Sequence, residues 1–434
     1  MGGRFGGVIP KYPVREELLA YLWKTQKFRR SSLKTSDGRT LVVVKPGQEN
    51  SGAGPDFFHA HIHIDDTLWV GNVELHLRAS DWFAHKHEQD TNYDNVILHV
   101  VWENDMPVYD AGQQPMPTLL LSEYAPKNLI TKYKNWLNQK KNWILCEDDF
   151  HKVPKIVLHQ FWERLYTERL MEKTALYKGW LAANSNNWEA VFFVALAKGF
   201  GLKHNGMAFA QMALSIPWKS VLQCTKIAEM EALFFGQIRI LCQETTHAYH
   251  QELSDMYSFL SHKYKLNPIE EPVQFFRLRP PNFPTIRLAQ LSWLLHKEPR
   301  LFTKILAANT LDQWYALLDA KTSPFWETHY NFNTPSKKRV HQLTKSFKQL
   351  LLLNTIFPFL FHYYAYIGSA KKEQVLDWVR QLSPEKNNIT NKFKQLGCVI
   401  SDALESQASL QLKTAYCAPR RCLNCAVGHQ LLNL

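Results

Sequence analysis

Long apolar runs, a cysteine framework and glycine-rich phosphate loops are all missing from this sequence. The first stretch, MGGRFGGVIPKYPVREELLAYLW, lacks the apolar run of about ten residues that a secretion signal places before its cleavage site. That absence gives the expectation of a cytoplasmic protein. Only seven cysteines occur in 434 residues, an odd number, and several lie in apolar helical patterns. A disulfide scaffold is therefore excluded in favour of reduced thiols or a metal site. GGRFGG follows no strand, GAGPD is not followed by Lys-Ser/Thr, and no G-x-S-x-G elbow is present. Nucleotide-binding turns, kinase chemistry and serine-hydrolase chemistry fall away together. The longest apolar stretch, QLLLLNTIFPFLFHYYAYIG, has bilayer length but is interrupted by Asn354, Pro358 and His362, so it reads as a buried helix and no membrane partner is expected.

What is present is a globular composition, 45% hydrophobic and 21% charged, in a chain long enough for two or three cores. The net charge of +12 is unevenly spread. Residues 1–150 carry 17 Lys or Arg against 19 Asp or Glu, and residues 151–434 carry 34 against 20. Carboxylates collect divalent cations and Lys/Arg neutralise phosphates, so the second part is expected to hold a nucleic acid beside a metal-using first part. Texture changes at the same point. Between Leu41 and Tyr124, strand-like runs (LVVVK, FFHAHIHI, LWVGNVELHL, NVILHVVW, PTLLL) are separated by turn residues, whereas helical spacing dominates beyond residue 150. The expectation is an α+β protein: a mixed β-sheet domain at 1–150, followed by a larger, basic, mostly helical domain at 151–434.

Chemistry concentrates in GPDFFHAHIHIDDTLWVGNVELHL. Asp65 and Asp66 form a hairpin turn between two strands, and alternation puts Glu74 and His76 on one face of the second. Asp56, at the outer end of the first strand, then approaches Glu74. Two converging carboxylates suit Mg²⁺ or Mn²⁺, and His76 is placed to assist an attacking water. The rival is a transition metal, because seven of the 18 histidines lie between residues 51 and 99: His59, His61, His63, His76, His85, His87 and His99. In SDWFAHKHEQD, Asp81, His85, His87 and Asp90 match no ligand spacing we can derive.

This spacing resembles the PD-(D/E)XK nuclease superfamily, with its restriction-endonuclease-like core. The resemblance implies metal-dependent phosphodiester hydrolysis, with Asp56 and Glu74 as metal ligands and an upstream acid at Glu16, Glu17 or Glu49. It also implies a lysine where this chain has His76, which leaves open a catalytically inactive nucleic-acid-binding protein on the same core. A broader resemblance, carried by NSGAGPDFFHAHI, WVGNVELHLRASDW, YDNVILHVVWEND, RLRPPNFPTIRLAQL and YCAPRRCLNCAVGHQLL, is to a bacterial family known as domain of unknown function 2851. It implies no activity.

Two further features bear on partners. Cys417, Cys422 and Cys425 form a C-x4-C-x2-C trio whose fourth ligand is expected to be Cys146, with His429 the second choice; zinc or an iron–sulfur cluster would suit them. Some nucleases of the resembling superfamily similarly join one distant cysteine to a C-terminal trio around an iron–sulfur cluster. Arg277, Arg279 and Arg287 flank Pro280, Pro281 and Pro284, a connection expected to be rigid and extended, and are candidates to clamp phosphates. Trp136 and Trp143 are candidates to stack on bases.

Overall fold

The computed structural model describes residues 14–110, 112–139, 141–242, 245 and 247–433. The first 13 residues, with the GGRFGG run, lie outside them. Two compact units divide the chain: one runs up to His159 and resumes at Leu412, and the other is Gln160–Gln411. The expected single break at 150 is thus displaced, and the chain end belongs with the sheet rather than with the helices. Polar contacts hold it there. Lys132 Nζ donates to the Leu431 carbonyl (2.7 Å) and Lys413 Nζ to the Trp143 carbonyl (2.6 Å), while the Tyr21 and His429 rings lie 4.9 Å apart. Recounted by unit, Lys/Arg stand at 22 against 19 Asp/Glu in the first and 29 against 20 in the second, so the basic excess stays with the helices.

The first unit opens with helix α1 (Glu16–Thr25), whose expected apolar face of Leu18, Leu19, Leu22 and Trp23 is buried. Its sheet comprises β1 (Leu33–Lys34), β2 (Thr40–Lys45), β3 (Gln48–Glu49), β4 (Phe57–Ile64), β5 (Thr67–Arg78), β6 (Val96–Glu103) and β7 (Thr118–Leu120). The strand order is β1-β2-β4-β5-β6-β7, with β3 paired to β4. β4 and β5 form the expected hairpin, Ile64 opposite Thr67, with Asp65 in the left-handed region (φ 51°), where Asp is tolerated. A bulge between Phe57 and Ala60, with His59 at φ 56°, turns Phe57, Ala60, Ile62 and Ile64 inward and leaves His61 and His63 half-buried on the opposite side.

β5 pairs with β6 in parallel, and β6 with β7 in parallel, so the sheet is mixed. A parallel step needs a crossover, which residues 79–95 supply. Helix α2 (Asp81–Ala84) lies within it, and Trp82 (1% exposed) pins it into a cluster with Ala79, Val96, Val101, Val108 and Met116. β5 is buried on both faces from Gly71 to His76: β4 and β6 cover its edges, and α1 and α2 pack against it. Gly71 is small for a reason: a Cβ there would collide with the Ile97 side chain and come within 2.7 Å of the Asn95 carbonyl. Gly71→Ala is expected to destabilise the first unit by about 1–3 kcal/mol, read as a lower urea midpoint. An unchanged midpoint would show that β6 yields without cost.

The second unit is helical apart from a two-stranded hairpin (His329–Asn331 with Thr334–Pro335) that the helical reading did not include. QLLLLNTIFPFLFHYYAYIG is a buried helix, as expected, wound as a π-segment at Leu352–Ile356 just before Pro358, whose missing N–H cannot join the helical ladder. Among the described residues no helix is long and apolar enough to cross a membrane. The Pro-rich connection is shorter and less extended than expected. Pro280 and Pro281 form a 3₁₀ turn (Pro280–Asn282), and Pro284 opens the helix Pro284–Lys297, where its fixed φ is already helical.

Candidate metal centre

Glu74 and His76 share one face of β5, and the chain brings four other groups to them. Asp56 lies at the entry to β4: its backbone N–H donates to Glu74 Oε2 (3.0 Å), and its own Oδ2 accepts from the Leu75 N–H (3.0 Å). His99 stands opposite Glu74 in the β5–β6 register, and its Nε2 lies 2.8 Å from His76 Nδ1. The crossover supplies His85 and His87. Lys86 between them takes a left-handed conformation (φ 61°), which reverses the chain after α2 and turns both rings back toward His76. Tyr93 stacks on His87 with ring centroids 3.8 Å apart and holds it there.

The donor atoms converge. His76 Nε2 lies 3.1 Å from His85 Nδ1 and 3.6 Å from Glu74 Oε1, and His87 Nε2 lies 3.4 Å from the same oxygen. One nitrogen from each of His76, His85 and His87 falls within 4.8 Å of the others. Donors held about 2.1 Å from a zinc- or manganese-sized cation stand roughly 3.4 Å apart in a tetrahedral arrangement, so the spacing fits such an ion. An orphaned atom supports the fit: His87 Nε2 is buried without a hydrogen-bond partner. Glu74 and His76 are buried at 5% and 2% exposure, while His85 is exposed, so the cluster reaches water on one side.

Burial also sets the protonation states. Burial, and after it the nearby Asp56, pushes the Glu74 carboxyl up to about 8. Asp56 is raised chiefly by burial, with Glu49 adding to it. The imidazoles shift the other way, because an apolar surrounding disfavours imidazolium: His76 falls to about 2 and His99 to about 3. A ligand histidine must be neutral, and these are.

Of the three upstream acids, Glu16 is the one whose charge interacts with both Asp56 and His85; Glu49 is ion-paired to Lys24 at 2.6 Å. Two of the crossover acids, Asp81 and Asp90, are committed elsewhere. Asp81 accepts from the Arg78 N–H (3.0 Å) and its guanidinium, and Asp90 caps the turn at Thr91–Tyr93. Sequence reasoning named His85 and His87 but found no ligand pattern for them, and it missed Tyr93. The available signal was a pair of histidines flanking one residue just after the short helix that follows β5, in the crossover to its parallel neighbour.

The candidate nucleic-acid contacts divide. Arg277 and Arg279 are exposed, with Arg277 5.0 Å from the ring of Phe276. Arg287 is not a surface clamp: it is buried, donates to Gln290 Oε1 (2.8 Å) and Asn282 Oδ1 (2.5 Å), and lies 3.5 Å from the Phe347 ring centroid. Its helix turns that position inward. Trp136 is 3% exposed on the buried face of helix α3 (Lys127–Asn138) and cannot stack on a base. Trp143 is half-buried beneath the Lys413 ammonium, 4.6 Å from the ring. Cys146, Cys417, Cys422 and Cys425 line a single cavity, as the spacing suggested, whereas His429 Nε2 bonds to the Leu423 carbonyl instead.

Fold and cluster together define an α+β protein whose mixed sheet carries a buried histidine–carboxylate constellation beneath its crossover. Residues 16–388 match the family described as Protein of unknown function (DUF2851), and the chain belongs to that family. The match ends before the C-terminal cysteines. No match was found among curated proteins or among solved structures.

Proposed function

We propose that the protein is a metal-dependent hydrolase of phosphodiester bonds, a nuclease, with its cation held by Glu74, His76, His85 and His87. The observation carrying this reading is the convergence of three imidazole nitrogens and one carboxylate oxygen at a cluster open to water. Such a donor set favours Mn²⁺, Zn²⁺ or Fe²⁺ over Mg²⁺, which prefers oxygen ligands. His76 accordingly acts as a ligand, oriented by His99, rather than as the base first expected of it. A cation bound there supplies Lewis acidity and a water acidic enough to ionise near neutral pH. Asp56 and Glu16, whose charges interact with each other and with His85, would orient the water and accept its proton. An acid on the first helix, Asp56 before one strand and Glu74 on the next support a restriction-endonuclease-like core in which His76 replaces the usual lysine. The basic excess of the helical unit supports a nucleic-acid substrate.

The test is cleavage of labelled single- and double-stranded DNA and RNA with Mn²⁺, Zn²⁺, Mg²⁺ or chelator. Cleavage is expected with Mn²⁺ or Zn²⁺, weaker with Mg²⁺ and absent with chelator. Binding without cleavage under every cation would replace this reading with that of an inactive nucleic-acid-binding protein. Binding insensitive to salt would remove the phosphate contacts as well.

A further inference from the structure

The base-stacking rings expected at Trp136 and Trp143 are buried or covered, yet the helical unit holds another ring out in solvent. Phe276 is 77% exposed, more than any other large apolar side chain among the described residues. A single exposed ring is ordinary on a protein surface. This one is fixed in place by its surroundings.

The loop that carries it is anchored on both sides. Asn205, 3% exposed on the helix Leu202–Ser215, accepts the Gln274 N–H at Oδ1 (2.7 Å) and donates from Nδ2 to the Gln274 carbonyl (2.9 Å). Phe275 then turns inward and meets the Phe283 ring edge to face, with centroids 5.3 Å apart. Pro280 and Pro281 stiffen the exit. Between these anchors the Leu278 N–H donates to the Phe275 carbonyl (3.2 Å), closing a tight turn with Phe276 and Arg277 at its tip. Arg277 takes φ 60°, a left-handed conformation that glycine adopts freely and a bulky side chain adopts only under strain. Strain of this kind persists where the side chain at that place is needed.

The charge around the ring selects its partner. The Arg277 guanidinium lies over the Phe276 ring, 5.0 Å from its centroid, Arg279 is exposed two residues on, and neither is ion-paired among the described residues. The nearest acids along the chain, Glu270 and Glu271, come before the Gln274 anchor. A protein hot spot would set such a ring within a wider apolar patch, whereas the exposed neighbours here are Gln274, Arg277, Arg279 and Pro280. A lone aromatic face among cations matches a nucleobase, which stacks on the ring while guanidiniums meet the phosphates beside it. Bases inside a duplex are already stacked on both faces, so an unpaired strand is what fits.

We infer that Phe276 stacks on an unpaired base and that Arg277 and Arg279 hold the flanking phosphates, which makes single-stranded nucleic acid the preferred substrate class. This preference rests on the nucleic-acid reading proposed above and adds the form of the strand.

The experiment is fluorescence anisotropy of the full chain in chelator, so that nothing is cut, with labelled oligo(dT), oligo(U) and a mixed-sequence duplex of the same length. At least one single strand should bind about tenfold more tightly than the duplex. Phe276→Ala should weaken that binding about tenfold and leave duplex binding within about twofold, while Phe276→Trp should retain it. Arg277→Gly should weaken it too, with a log–log salt slope shallower by roughly 0.7 and a melting temperature no lower than the native one, because the strain leaves with the side chain. Equal binding of strand and duplex, a Phe276→Ala variant that binds single strands as the native chain does, or one that loses strand and duplex alike would each overturn the assignment. No binding of any nucleic acid would overturn it as well and leave the ring to a protein partner. Strand-selective binding without cleavage in Mn²⁺ removes only the nuclease reading, and cleavage by a chain with no strand preference removes only this one.

Discussion

Glu74→Gln is expected to abolish metal-dependent cleavage while raising the melting temperature of the metal-free protein. Glu74 Oε1 is the oxygen shared by His76 and His87, and Oε2 accepts the Asp56 N–H. A glutamine amide oxygen can retain the second contact and the shape. It cannot supply the anionic donor that balances a divalent cation among imidazoles. Losing that ligand removes several kcal/mol of transition-state stabilisation, on the order of a thousandfold in rate. The stability change has the opposite sign. Without a cation, this carboxyl is buried beside Asp56 and strongly resists ionising, whereas in the unfolded chain it ionises freely. Gln removes that penalty, and a rise of a few degrees is expected in chelator, together with loss of any cation-induced rise. Cleavage at the native rate would take Glu74 out of the site. A lower melting temperature in chelator would show that the charge was stabilising after all.

How much of this could be read beforehand follows from the range over which each signal acts. The β4–β5 hairpin was legible because period-two alternation and the Asp65-Asp66 turn are local. The placement of Glu74 and His76 on one face followed from the same alternation. His99 was not assignable because its partnership depends on a parallel register, Glu74 against His99, fixed only when the crossover has docked. His85 and His87 needed the left-handed turn at Lys86 and the anchoring of Trp82, neither of which spacing encodes. Arg287 and Trp136 failed for a related reason. Their aliphatic or aromatic bodies pack as readily as their polar tips face solvent, so only the phase of each helix against its neighbours decides which occurs. Spacing within the terminal trio is local, whereas Cys146 was only the first choice of a fourth member, and the fold is what brings it to the same cavity. The same helical texture on both sides of Leu412 hid the unit to which the tail belongs.

Relative to Glu231→Gln, the native helical unit is expected to lose stability between pH 4.5 and 7. Glu231, on the helix Ile227–Gln237, is 0% exposed; its Oε2 accepts from the Tyr249 hydroxyl (2.7 Å) and the Trp326 indole N–H (2.8 Å). Burial raises this carboxyl to about 7 from 4.5, and hydrogen bonds from Trp326, Tyr249 and Ser323 only partly oppose the rise. Below pH 4.5 the group is protonated whether folded or unfolded, and its contribution is fully present. As pH rises toward 7, the unfolded chain releases the proton while the folded one keeps it, so the unfolded state gains. Above 7 both are ionised and the loss is complete, on the order of 3 kcal/mol for a shift of this size. Glutamine is neutral throughout and fills nearly the same volume. Compared with the native chain in urea, the variant should match it at pH 4.5 and exceed it by a growing margin up to pH 8. Taking the difference cancels the other titrating groups, which both proteins share. A margin that stays constant with pH would show that Glu231 ionises alike in both states. A variant less stable at pH 8 would show that the charge, held by Tyr249 and Trp326, contributes more than its burial costs.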